Sequence, residues 1–187
     1  MNSICKSCYY QIRNIGLIRK YINDETWKTL VQALIISRLD NGNALLYNIP
    51  LSQTNRLQWV QNCDARLLTR SRKGEYITPG LFQLHWVPER FRSVYKILFL
   101  TFKVLNGTAP LYLNDLIEKY IPVRMFRSES YSLLRVTRSH TAMYRKKSFR
   151  ASTHRLWNEL PNHIKLTATR DIFCKLLKTH LCKLAYF

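Results

Sequence analysis

Three groups of residues have the types and spacing that could do chemistry. Cys5 and Cys8 form a Cys-x-x-Cys unit, the first half of a zinc-site spacing. No second pair follows at a fitting distance. Cys174, His180 and Cys182 match no standard zinc module, and two helical turns separate Cys174 from Cys182, as suits small core residues. Carboxylates are the second group. Metal-dependent nucleotidyl transfer needs acids that converge on the ions. The 11 acidic residues are dispersed, and Asp24-Glu25 is the one adjacent pair. That pair suits the N-terminus of a helix, which favours negative charge. Ser152, His154 and Cys63 are the candidate nucleophile and base residues, but no elbow motif surrounds them. His85, beside Trp86, reads as an aromatic-packed structural histidine. The 5 scattered glycines exclude a phosphate-cradling loop. No catalytic residue, metal or cofactor is expected.

Cations point elsewhere. Lys and Arg number 30, for a formal net charge of +19. Such a chain attracts polyanions, chiefly nucleic acid or an anionic membrane surface. No apolar run reaches the ~18 residues of a spanning helix, so no membrane partner is expected. Between Ile121 and Asn158, Arg124, Arg127, Arg135, Arg138, Arg145, Lys146, Lys147, Arg150 and Arg155 face the single acid Glu129. Tyr131, Tyr144, Phe149 and Trp157 interleave with them. Cations can pair phosphates while aromatic rings stack on bases. The plainer reading is a solvated loop with core aromatics, and Trp157 reads as core. A second set lies on helices: Arg66 and Arg70 on one face, followed by Arg72 and Lys73, and Arg92, Lys96 and Lys103 on another. These could line a groove along a nucleic-acid backbone or form the wet side of amphipathic helices. Five irregularly spaced cysteines and a polar start predict reduced thiols and a nuclear or cytoplasmic location.

The elements that must position these residues are mainly α-helical. Ile4, Cys8, Ile12, Ile15 and Ile18 predict a helix over 4–18, weakened near Gly16. Asn23 and Asp24 cap a second, running to about Leu39 with Trp27, Leu30, Val31, Leu34 and Ile35 inward. Asp40-Asn41-Gly42 breaks it. A third follows Pro50, with Ser52 as N-cap, and ends at Lys73-Gly74. After a short segment at Leu81–Trp86, Pro88 opens a long helix with Phe91, Val94, Tyr95, Leu98, Phe102 and Leu105 as its stripe. Asn106-Gly107 stops it. Another helix is expected over about 110–119. Leu133–Thr137 and Ala142–Phe149 predict a small β-hairpin around Ser139-His140. Helix returns over about 149–158, and an amphipathic C-terminal helix from Thr169 carries Ile172, Phe173, Leu176, Leu177, Leu181 and Leu184. The division expected is a helical region over 1–120 and a basic hairpin with C-terminal helices over 121–187, packed on the first.

Ordered strings add a resemblance. Ser37-Arg38-Leu39-Asp40 with Asn43, Leu45, Leu46 and Tyr47 resembles the S-R-L-D-x-x-N-x-L-L-Y of LINE-type, non-LTR retrotransposon reverse transcriptases of the jockey and chicken-repeat kind. Leu57-Gln58-Trp59-Val60-Gln61-Asn62 with Ala65-Arg66-Leu67 is similar to their L-Q-x-V-Q-N-x-x-A-R-L. Ile77-Thr78-Pro79, Leu84-His85-Trp86-Val87-Pro88, Arg92 and Tyr95-Lys96-Ile97-Leu98 continue in order. Leu105-Asn106-Gly107 with Ala109-Pro110, Tyr112 and Leu113 resembles L-N-G-x-A-P-x-Y-L. Leu156–Pro161 and Phe173–Leu181 follow. Arg145-Lys146-Lys147-Ser148-Phe149 departs from the family's G-D-R-A-F, losing a turn and adding charge. The resemblance covers nearly the whole chain. It implies the thumb and the helical segment after it, a piece of an RNA-directed DNA polymerase that grips template–primer or element RNA. The family's palm aspartates have no counterpart here, so no polymerisation is implied for this piece alone. Implied partners are RNA or DNA and a polymerase palm, in cis or in trans. The alternative is a structural module whose role is to pack on that palm.

Overall fold

A computed structural model of the chain describes residues 2–72, 74–120, 133–136 and 148–187. Helix dominates these residues, as the periodicity predicts. No β-strand occurs among them, only one isolated antiparallel bridge between Lys119 and Leu134. No helix among them is long and apolar enough to cross a membrane. They form two compact units: Met1–Asn43, Ile49–Arg92 and Cys182–Phe187 in the first, Ala44–Asn48 and Ser93–Leu181 in the second.

The first unit contains α1 (Asn2–Ile18), α2 (Asp24–Val31), α3 (Ser37–Asp40), α4 (Leu51–Thr69), α5 (Thr78–Gln83) and the first turn of α6 (Glu89–Leu105). Asn23 starts α2 as predicted: its side chain accepts the Thr26 N–H at 2.7 Å, with Asp24 and Glu25 in the first turn. The helical run continues to Asp40 through a π-helical stretch at Gln32–Ile36. Gly42, at φ 65°, then takes the left-handed turn that a Cβ would oppose. Two expected ends of α4 are corrected. Pro50, not Ser52, holds the N-cap position, so Ser52 lies inside the first turn. The helix stops at Thr69 rather than at Lys73-Gly74, because Arg70 turns left-handed at φ 56° and Ser71 N–H reaches back to the Arg66 carbonyl at 3.1 Å. Trp27, Val31, Ile35, Leu39, Leu57 and Val60 form the core with Cys8 and Ile15 of α1, which packs along α4.

Polar side chains fasten α4 to the start of α6. Gln61 donates to the Val87 carbonyl at 3.0 Å, and its own oxygen accepts from Gln58 at 2.9 Å. Gln58 accepts the Glu89 N–H at 2.9 Å, meeting one of the donors that a helix N-terminus leaves unsatisfied. Each such buried bond stabilises by about 1 kcal/mol net, and leaving one partner alone costs about 1–3.

The second unit contains the remainder of α6, α7 (Leu111–Asn114), α8 (Phe149–Glu159), α9 (Asn162–Lys165) and α10 (Arg170–Tyr186) as far as Leu181. Gly107, at φ 68°, ends α6 as expected: Thr108 N–H bonds to Lys103 O at 2.9 Å and Gly107 N–H to Val104 O at 3.1 Å. The buried positions of α6 are Glu89, Ser93, Ile97, Leu98, Thr101, Phe102 and Val104, a face rotated from the predicted stripe, whose Phe91, Val94, Tyr95 and Leu105 are half-buried. Phe102 stacks on Phe173 at 4.1 Å, and Trp157 lies 6.1 Å from Phe173, so Trp157 is core. The inward row of α10 is Phe173, Leu177 and Leu181, while Ile172 and Leu184 are exposed.

Two local expectations are corrected here. The helix over 110–119 reduces to the single turn α7, because the backbone after it bonds elsewhere: Tyr120 N–H to Leu133 O and Arg135 N–H to Glu118 O, both 2.9 Å. The hairpin is not found among the described residues. Leu134 pairs with Lys119 instead, and Phe149 opens α8 behind the Ser148 cap. Residues 137–147 of that expected hairpin lie outside the described residues. Asn158 holds the 133–136 segment in place of a partner strand, donating to Leu134 O and accepting Leu134 N–H, each at 2.9 Å.

Candidate nucleic-acid interface

Helix α4 has two faces with different chemistry. Leu57, Val60, Gln61, Asp64 and Ala65 point into the first unit and are buried. Trp59 points outward and is 61% exposed. Its neighbours are Ile12 of α1 with Asn62, Cys63, Arg66 and Leu67 of α4, around a groove of 570 Å³. Arg66, Leu67 and Ser71 are also the wall of an adjoining groove of 530 Å³, lined by Gly16, Arg19, Lys20 and Arg70. The end of α1 thus brings Arg19 and Lys20 to the cations at the end of α4. Sequence reasoning included Arg66 and Arg70 but not Arg19 and Lys20. The signal was available, since Arg19-Lys20-Tyr21 is a basic-aromatic triplet just past the last apolar position of α1.

The cations in the second groove differ in how far they are committed. Arg19 is mostly structural: it bonds Asp24 and the Ile22 carbonyl and lies 5.0 Å above the Trp27 ring. That bond, more than the nearby Arg70 and Lys28 charges, holds the Asp24 carboxyl below its usual range. Lys20 is exposed, 4.8 Å from the Tyr21 ring. Arg70 is 76% exposed and reaches Asp24 only at 3.6 Å. Arg66 makes a long bond of 3.4 Å to Glu75 O, and its Nε is buried with no hydrogen-bond partner. Arg72 is exposed; its backbone N–H donates to Glu75 Oε2 at 3.0 Å and its carbonyl accepts the Glu75 N–H at 3.1 Å. Tyr76 and Tyr21 stand exposed beside this edge in sequence. Lys73 lies outside the described residues.

The other predicted cations sit in separate places. Arg92 is only 13% exposed and pairs with Asp40 at 2.5 Å and Glu89 at 3.6 Å. It is engaged by the buried Glu89 and the partly exposed Asp40 rather than facing solvent. Lys96 is half-buried, and Lys103 lies 5.6 Å from the Phe99 ring. In the second unit Arg135 and Arg150 share Glu118, at 3.3 and 2.8 Å. Arg155 donates to the Tyr47 hydroxyl at 2.8 Å and pairs with Glu159 at 3.7 Å. Arg124, Arg127, Arg138, Arg145, Lys146 and Lys147 lie outside the described residues, as do Tyr131 and Tyr144.

In the first unit Cys8, Asp64 and Glu89 are buried, whereas Cys63 is partly exposed on the Trp59 groove. Cys8 is fully enclosed, and burial first, then the Asp64 charge, pushes its thiol up to about 11. Burial pushes Asp64 up to about 8 and Glu89 to about 7. Both Asp64 oxygens are buried without a hydrogen-bond partner. No group of three His, Cys, Asp or Glu among the described residues could hold a metal ion. In the second unit the Ser152 hydroxyl donates to the Ser148 carbonyl at 2.8 Å rather than to a base, and burial lowers the pKa of His154. His85 is exposed at φ 52°, and its near aromatic neighbour is Phe82 at 6.5 Å. Compared with known proteins, the chain matches no family model, no curated protein and no solved structure.

Proposed function

We propose that this chain binds nucleic acid through the basic edge of its first unit, as the thumb-side C-terminal piece of a LINE-type retrotransposon RNA-directed DNA polymerase, and does not polymerise on its own. The observation that carries this reading is the gathering of Lys20, Arg66 and Arg70 on one groove, with Arg72 following, on a chain of net charge +19. Among the described residues, Asp24 is the ion-pair partner of Arg70, at 3.6 Å. The ordered strings from Ser37 to Leu181 support the family part of the proposal. The expected ligands are RNA, DNA or their hybrid.

Fluorescence anisotropy of labelled RNA, DNA and hybrid with the purified chain, at several salt concentrations, tests it. Three or four phosphate contacts predict a log–log salt slope of about −2 to −4. Affinity that is absent, or indifferent to salt, contradicts the proposal. A primer-extension assay should show no nucleotide incorporation.

A second reading has one observation in its favour. Phe82 is exposed and meets Tyr186 and Phe187 edge-on, at 5.9 and 5.7 Å, and Phe187 is itself exposed. Such a cluster suits a module that packs on a polymerase palm. Aggregation of the isolated chain, relieved by an added palm and unaffected by nucleic acid, would favour it.

A further inference from the structure

We infer that the outer α1–α4 groove holds a single nucleic-acid strand, with one base stacked on the exposed indole of Trp59 and the neighbouring phosphates on Arg66, Arg70 and Lys20. The inference rests on the proposed nucleic-acid binding and adds which form is held and by what. Single-strand sites combine a cationic groove that follows the backbone with rings on which bases stack. Both halves are present and share a wall: Ile12, Trp59 and Leu67 line one groove, while Lys20 and Arg70 line the other, with Arg66 and Leu67 common to both. The feature that stands out is that, of the four tryptophans, Trp59 has its indole left in water. Trp27 and Trp157 are fully buried, and Trp86 packs against the cluster of Ala65, Ile77 and Leu81. Arg66 lines both grooves, between ring and cations, and its guanidinium makes only one long protein bond, 3.4 Å to the Glu75 carbonyl. A duplex keeps its bases stacked inside and offers no face to an indole, so the ring favours the unpaired form.

The test compares the intact chain with Trp59→Ala and Trp59→Phe in anisotropy titrations of a labelled 12-nucleotide single strand, a matched strand with abasic sites, and a blunt duplex. Circular dichroism confirms that each variant is folded. Expected is a loss of roughly 5- to 150-fold on the single strand for Trp59→Ala. Trp59→Phe should recover most of it, duplex binding should stay within twofold, and the abasic strand should bind both proteins equally weakly. Equal single-strand binding by the intact chain and a folded Trp59→Ala overturns the stacking inference and leaves nucleic-acid binding standing. No binding of any strand by the intact chain overturns both.

Discussion

The inner and outer faces of α4 are built from neighbouring residues and do opposite things. Inward, Leu57, Val60 and Ala65 pack, while Gln58 and Gln61 fasten the backbone at Val87 and Glu89. Outward, Trp59 and Arg66 are left with little protein to satisfy them. A string such as Leu57-Gln58-Trp59-Val60-Gln61-Asn62 therefore mixes two kinds of constraint. Its glutamines and aliphatics hold the fold, and its tryptophan is available to a ligand. The same separation recurs elsewhere. Asp40 of the Ser37–Tyr47 string is consumed by Arg92 and Asn43, and Asn158 of the Leu156–Pro161 string by the Leu134 backbone. Resemblance strings in this chain mark fasteners more often than they mark contact surfaces.

If the faces are separable, substitutions on them should separate stability from binding. The largest stability effect is expected for Leu57→Ala on the inner face. Removing a buried leucine should cost about 2–5 kcal/mol, read by urea unfolding. Nucleic-acid affinity of the fraction still folded should stay within twofold, and a selective loss of affinity would break the separation.

Next comes Asp64. Its carboxyl titrates near 3.8 when unfolded and near 8 when buried. The folded state therefore keeps a proton that the unfolded state releases between those values. Stability should fall as pH rises from about 4 to 8 and level off above 8. Asp64→Asn should remove most of that slope and raise stability at pH 8. Glu89, shifted the same way to about 7, should leave a remainder. Urea midpoints measured every half pH unit decide it, and an unchanged slope in the variant would contradict the buried-acid reading.

The smallest effect sharpens the comparison most. Arg70 pays for its left-handed backbone, and glycine would not. Arg70→Gly should gain up to about 1 kcal/mol in unfolding stability, because the lost pairing with Asp24 is exposed and weak. The same variant should bind nucleic acid less well. Opposite signs in the two measurements are the expected signature, and a parallel loss of both would mean that Arg70 supports the fold.

Much of the helical architecture was legible in the residues. Asn23 before Asp24-Glu25, Gly42 and Gly107 each have a local backbone reason to start or stop a helix, and each acts where expected. The misplaced ends had longer-range causes. Arg70 takes a conformation that residue types assign to glycine, so Lys73-Gly74 looked like the stop. Leu133–Val136 has strand-like residues, but its backbone is held by Lys119 and by the Asn158 side chain, and no periodicity reveals a partner 24 positions away. The site was half legible. Arg66 and Arg70 share a face by spacing alone. Arg19 and Lys20 join them only because α1 returns alongside α4, which is a tertiary fact. Arg92 looked equivalent to its basic neighbours until its pairing with the buried Glu89 and the partly exposed Asp40 explained it.

The most direct test of the central claim is the salt dependence of single-stranded RNA binding by the intact chain beside the Arg66→Glu, Arg70→Glu double variant. Removing two phosphate contacts should flatten the log–log slope by about 1.4 and lower affinity at low salt by more than tenfold, with the fold unchanged by circular dichroism. An identical slope and affinity in the folded double variant would contradict the assignment of the first unit's basic groove as the nucleic-acid interface.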